Sequence, residues 1–182
     1  TAKEKEVLDS ISLLKSKKAP GPDKVQSEHL IHGKEVLSKY LCVLFNSILN
    51  LGQIPSGWKQ GFIVPIYKGG NKPKTSPDSY RPISLLSTLF KVFEKIIHTR
   101  IMDTLSNEEL FPNPQQQGFR KGLSSITAAF NLQETIHHYI ENGSHVYTCF
   151  LDSRKAFDTV WRKGLLYKLN NIGIKGKLFF KS

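Results

Sequence analysis

Cysteine is scarce: Cys42 and Cys149 are the only two in a chain of 182 residues. Both sit in apolar runs, Tyr40-Leu41-Cys42-Val43-Leu44 and Thr148-Cys149-Phe150-Leu151. That excludes a disulfide scaffold, and the pair is expected as reduced thiols in the core. Neither the cysteines nor the six histidines show metal-ligand or triad spacing. A run of about 18 apolar residues is also lacking, which excludes a membrane-spanning helix. No signal peptide precedes the first helix-prone stretch, so an intracellular protein is expected. The first residue is Thr1 rather than Met, which suggests a fragment. Acidic side chains are few, 15 against 26 Lys and Arg, giving a formal net charge of +11. Such a balance points to a polyanionic partner, nucleic acid first and an anionic membrane surface second, with a solvated basic face as the plain alternative. Hydrophobic residues make up 39% of the chain, enough for a buried core and too many for wholesale disorder.

Residues 1–18 are charged and helix-prone, with Val7, Leu8, Ile11 and Leu14 at helical spacing. Ala19-Pro20-Gly21-Pro22-Asp23 breaks that pattern. Leu37, Tyr40, Leu41, Leu44 and Ile48 predict a second helix with one buried face, ending near Gly52. After Pro55-Ser56-Gly57-Trp58-Lys59, Phe62–Tyr67 reads as a strand that Pro65 confines to an edge or bulge. Tyr80-Arg81-Pro82-Ile83-Ser84 returns antiparallel, making a hairpin with a long polar tip. Leu86, Leu89, Phe90, Phe93, Ile97 and Ile101 mark an amphipathic helix. A loop with Pro112, Asn113 and Pro114 follows. Ala129, Leu132, Ile136 and Ile140 then mark another helix, ending at Asn142-Gly143. Residues 145–151 read as a strand, and the chain from about Ala156 as helix. The expected order is helix, hairpin, helix, helix, strand, helix, with no internal repeat and no low-complexity tract.

Four places carry candidate chemistry. Asp152 closes the apolar run Val146–Leu151, where a carboxylate at a strand end suits a divalent metal. On the strand pattern alone it suits a helix N-cap better still. Asp158 fits a first-turn carboxylate favoured by the helix dipole at least as well as a metal role. Lys68 and Arg81 lie on the two arms of the hairpin, with Lys72 and Lys74 in the tip between them. Facing cations of this kind clamp a triphosphate, although a solvated loop is the commoner outcome. Gln117-Gly118-Phe119-Arg120-Lys121-Gly122 brackets an aromatic ring and two cations with glycines, a pattern able to approach a phosphate backbone and stack on a base, or merely to turn the chain. The fourth, Ala19–Asp23 after Lys15, Lys17 and Lys18, is physically a rigid turn after a basic helix end.

In this order the motifs resemble one family. They are Lys18-Ala19-Pro20-Gly21-Pro22-Asp23, Pro55–Lys59 with Val64–Lys68, Ser79-Tyr80-Arg81-Pro82-Ile83-Ser84-Leu85-Leu86, Gln117–Gly122, and Phe150-Leu151-Asp152 with Lys155-Ala156-Phe157-Asp158. Together they resemble the reverse transcriptase of non-LTR, jockey-like retrotransposons from about residue 10 to the end. The resemblance implies an α+β, right-hand polymerase fold, truncated to the fingers plus the beginning of the palm. Its implied divisions are an N-terminal extension over 1–35, fingers over 36–143 and the start of the palm over 144–182. It also implies that Asp152 is the first palm aspartate, binding catalytic Mg2+ or Mn2+. Phe157 is implied as the bulky residue that blocks a ribose 2′-OH, and Lys68 and Arg81 as holders of the incoming triphosphate. Gly118, Phe119 and Arg120 are implied to line the template and nucleotide pocket, and Pro20–Asp23 to pack near the template. The implied partners are an RNA template, a DNA primer and deoxynucleoside triphosphates, with no membrane and no obligate protein partner inferable. Nuclear and cytoplasmic ribonucleoprotein locations follow from the same resemblance.

Two departures matter. Lys24 follows Asp23 where the family usually has glycine, so the turn there is expected to differ. The Ser-Gly-Gln-Gly and Ala-Asp-Asp motifs that come next in the family are absent before Ser182. One aspartate cannot assemble a two-metal site, so the chain alone is expected to be inactive. The strand at 146–151 is expected to lack its sheet neighbours, which makes the chain prone to aggregate or to be partly molten. The alternative is a non-catalytic nucleic-acid-binding module, decayed or domesticated. Relatives of group II intron maturases or telomerase fit the motif wording less well.

Overall fold

Helix α1 (Glu4–Ser12) and helix α2 (Ser27–Leu51) pack side by side because each presents one apolar stripe. The computed structural model describes residues 1–107, 115–153 and 156–174. The loop read at Pro112–Pro114, and Arg154 and Lys155 of the later motif, lie outside these. Val7 and Ile11 of α1 meet Leu30, Leu41, Phe45 and Ile48 of α2. Helix α3 (Thr88–Asn107) adds Val92, Phe93 and Ile96 to the same core. An aromatic cluster fills the middle: Phe45 lies 5.3 Å from Phe93 and 6.3 Å from Trp58, ring centre to ring centre. Edge and tilted contacts of this kind add to the area buried. Trp58 comes from a short 3-10 turn, Ser56–Lys59, which turns the Pro55 break into a plug for the core. Helix α2 ends as expected, with Gly52 at φ 66 and its N–H on the Ile48 carbonyl at 2.9 Å.

Strands β1 (Phe62–Tyr67) and β2 (Tyr80–Leu85) form an antiparallel hairpin, the one sheet among the described residues. The described chain divides into two compact units, Thr1–Asp103 with Ile174, and Thr104–Gly173. The second unit holds helix α4 (Ser125–Glu141) and helix α5 (Arg162–Asn171). No helix among the described residues is long and apolar enough to cross a membrane.

Several expectations need correction. Tyr40 is exposed, and the buried stripe of α2 runs through Phe45 instead. The strand read at 145–151 does not form: 144–153 carry no regular structure, and Tyr147, Phe150 and Leu151 are exposed. A strand exists through its ladder, and among the described residues nothing pairs with this segment. Cys149 is therefore exposed rather than a core thiol, whereas half-buried Cys42 places its Sγ 3.2 Å from the Ala2 carbonyl. The last helix among the described residues starts at Arg162, not near Ala156, so among the described residues Asp152 caps no helix and Asp158 lies outside the first turn of α5.

The turn at Pro20–Val25 docks on the junction between β2 and α3. Gly21 is packed so closely that a Cβ there would fall 2.5 Å from the Leu86 carbonyl carbon and 2.6 Å from the Ser87 nitrogen. Ser87 donates its hydroxyl to Asp23 Oδ2 at 2.5 Å, and Thr88 donates to the Val25 carbonyl at 2.6 Å. Lys24 adopts φ 57, the left-handed region a glycine would occupy freely. Lys24 thus carries the strain of this turn.

Candidate active site

The hairpin register pairs Ile66 with Arg81 and Pro65 with Pro82. Just beyond, the Lys68 N–H bonds the Ser79 carbonyl at 2.8 Å. Bonded and non-bonded pairs alternate along an antiparallel ladder, so Ile66–Arg81 is a bonded pair and Pro65–Pro82 a non-bonded one. Each proline therefore lacks an N–H only where it would point outward, which lets both sit mid-strand and blunts both edges of the hairpin. The same alternation puts Lys68 and Arg81 on one face, diagonal to each other across the two arms. The two cations singled out in the sequence thus share a common face. Lys68 directs its ammonium at the Asp78 carbonyl, 2.6 Å away.

The hairpin tip is tied down from within. The Tyr67 hydroxyl shares its one proton between the carbonyls of Lys72 at 2.5 Å and Gly70 at 3.1 Å. Tyr80 donates to Lys74 at 2.9 Å, and Ser79 to Pro73 at 2.6 Å. The Lys74 ammonium stands 5.8 Å from the centre of the Tyr67 ring, within cation–π range. Sequence reading singled out the cations here and missed the two tyrosines, directly paired at Tyr67–Tyr80, that hold the loop presenting them.

In the second unit, Phe119 and Phe157 meet edge to face, 6.3 Å apart at 89°. Phe119 takes φ 61 and is 93% exposed. A bulky residue in that region is strained, and strain of this sort gathers at functional positions. The loop holding it is closed by Leu123 N–H to the Arg120 carbonyl at 3.3 Å and by Gln116 Nε2 to the Gly118 carbonyl at 3.3 Å. Arg120 reaches back to the Gln116 carbonyl at 3.4 Å. Ser124 next caps α4, its Oγ accepting from Thr127 N–H at 3.3 Å. The structure thus joins two positions, Phe119 and Phe157, that sequence reading kept in separate roles.

Asp152 is exposed, in the segment without regular structure. No group of three or more His, Cys, Asp and Glu side chains gathers among the described residues. A two-metal centre needs several carboxylates around the ions, and Asp152 by itself does not make one. Lys68 and Arg81 belong to the first compact unit; Gly118, Phe119, Arg120, Asp152 and Phe157 belong to the second.

Residues 71–182 match the family described as reverse transcriptase (RNA-dependent DNA polymerase). The chain is 36% identical over 167 residues to the probable RNA-directed DNA polymerase from transposon BS of Drosophila melanogaster, covering 92% of this chain. It is 37% identical over 164 residues, 90% of this chain, to the probable RNA-directed DNA polymerase from transposon X-element of the same fly. To the RNA-directed DNA polymerase from mobile element jockey it is 35% identical over 167 residues, again 92% of this chain. The aligned part spans 18% of the length of each of these relatives. The hairpin, the Gly-Phe-Arg loop and the Asp152 segment, in that order, are therefore parts of a chain that belongs to the reverse transcriptase family, in its non-LTR retrotransposon branch.

Proposed function

We propose that this α+β chain forms the fingers and the beginning of the palm of a right-hand RNA-directed DNA polymerase that copies retrotransposon RNA into DNA. Residues 1–35 form the N-terminal extension, 36–143 the fingers and 144–182 the start of the palm. Lys68 and Arg81 hold the triphosphate of the incoming deoxynucleotide. Phe157 stands against the 2′ position of its sugar, and Gly118, Phe119 and Arg120 line the pocket for the nucleotide and the RNA template. Asp152 supplies one carboxylate of a divalent-metal centre, with Mg2+ as its ion. The other carboxylates come from outside these 182 residues, so the chain by itself performs no transfer. The observation that carries the reading is the placement of Lys68 and Arg81 on one face of the hairpin.

A second reading, a nucleic-acid-binding module without catalysis, draws support from the net charge of +11. The coding sequence downstream of Ser182 separates the two. An in-frame Ala-Asp-Asp motif supports the polymerase; a stop codon directly after Ser182 overturns it in favour of the binding module.

A further inference from the structure

The β1–β2 hairpin has no core of its own to fix its attitude. Phe62, Ile63, Ile66 and Ile83 are all exposed, so neither face is buried. A two-stranded ribbon of this kind is marginal in water and takes its direction from whatever grips its ends. One end is the tip. The other is the base, where Gly61 and Leu85 meet the Leu86–Thr88 junction. The Pro20–Val25 turn seizes that junction at three consecutive residues: Gly21 against Leu86, Asp23 on Ser87, and Val25 on Thr88. Ser87 is the pivot. Its Oγ accepts the Phe90 N–H at 3.4 Å, capping α3, while its proton goes to Asp23. Asp23 in turn accepts the Val25 N–H at 3.2 Å, which fixes the carboxylate.

Resting on the reading of Lys68 and Arg81 as a triphosphate clamp, we propose that the Pro20–Val25 turn is the positioning element of that clamp, with Asp23 acting through Ser87 to set the direction of β2. Arg81 lies in β2, four residues before the strand ends at Leu85 and six before Ser87. At the usual strand rise the stretch from Leu85 back to Arg81 is a lever of about 13 Å, so a tilt of about 10° at the base moves Arg81 by about 2.3 Å. Phosphate recognition by a guanidinium does not survive such a displacement. Lys24 in its left-handed conformation fits this purpose: strain is kept in a turn whose shape sets a distant group.

The test uses the 182-residue chain and inorganic triphosphate as probe, with affinity measured by calorimetry and folding by thermal melting on the same samples. Asp23→Ala and Ser87→Ala should each weaken binding by about five- to tenfold at a temperature where the variant is folded. Asp23→Asn offers one acceptor oxygen to the two donors, Ser87 O–H and Val25 N–H, that Asp23 accepts from, and should fall between Asp23→Ala and the parent. The sign is diagnostic, because removing an acid from a basic protein would by charge alone tighten anion binding. Arg81→Ala separates the two layers. If the parent does not bind, or Arg81→Ala binds as the parent does, the clamp reading falls and this inference with it. If Arg81→Ala abolishes binding while Asp23→Ala and Ser87→Ala bind like the parent, the clamp stands and the positioning role is overturned. Should Asp23→Ala fail to fold, Ser87→Ala decides.

Discussion

Arg100 grips Glu6 with two parallel N–H···O bonds, Nε to Oε1 at 2.8 Å and Nη2 to Oε2 at 2.9 Å, across 94 positions of sequence. The same Nη2 amino group also donates to the Thr1 carbonyl at 2.6 Å, and Glu6 also accepts the Lys3 N–H at 2.7 Å. One carboxylate thereby ties the start of α1 to the middle of α3.

That arrangement sets a pH dependence. The Arg100 hydrogen bond is the largest influence on Glu6 and, with Lys3, outweighs burial, lowering its pKa from 4.5 to about 2. A depressed carboxylate stabilises the fold fully above its unfolded value and loses that contribution as pH falls through its folded value. Acid unfolding should therefore show a loss between pH 4.5 and about 2 that Glu6→Gln flattens. Arg100→Ala should cost about 1 kcal/mol at neutral pH, the upper range for a partly exposed pair. Equal slopes in parent and Glu6→Gln would refute the assignment.

The Pro20–Val25 turn makes opposite predictions at two neighbouring positions. Lys24→Gly should raise stability by about 0.5–1 kcal/mol, because relief of the left-handed strain exceeds the added freedom of the unfolded chain. Gly21→Ala should lower it by about 3 kcal/mol, since its Cβ meets backbone that cannot yield. Denaturant midpoints at constant slope measure both. A destabilised Lys24→Gly variant would mean that the Lys24 side chain holds the turn by contacts of its own.

Amide exchange should divide the molecule. Core amides of α2 and α3 should be protected to near the global unfolding free energy, whereas 144–152 should exchange almost at intrinsic rates. Exposed Tyr147, Phe150, Leu151 and Trp161 make self-association expected at high concentration. Protected amides at 146–151 in a monomer that melts in one sharp transition would contradict this picture.

Nucleic-acid affinity should fall steeply with salt and discriminate little between sequences, as expected when cations meet a phosphate backbone. Filter binding across a salt series reads the slope. An affinity that ignores salt would remove the electrostatic basis of the account.

Local chemistry was legible in the sequence wherever it decided the outcome. The hairpin could be placed because the apolar run Phe62–Tyr67 is followed by a polar tip and then by Tyr80–Ser84, which can return beside it. Helix α3 was visible, but Val92 and Ile96, at its buried centre, are set by which neighbours it meets. Tyr40 fell on the wrong side of α2 because an apolar ring one position off the true stripe reads as part of it. The 145–151 strand was misread for a deeper reason: its apolar pattern describes an environment made by partner strands, and none is present among the described residues. Lys24 shows the converse, a turn whose geometry is imposed by Gly21 and Asp23 on a residue that disfavours it. Ser87 and Thr88 carried a readable cap signal ahead of an apolar run, but no sequence rule links Ser87 to Asp23.

The measurement that bears most directly on the central claim is primer extension on an RNA template by the polymerase of its relatives' length that carries this segment, comparing the parent with Asp152→Asn. The account predicts that Asp152→Asn retains binding to primed RNA and loses DNA synthesis. Synthesis at the parental rate by Asp152→Asn would contradict it.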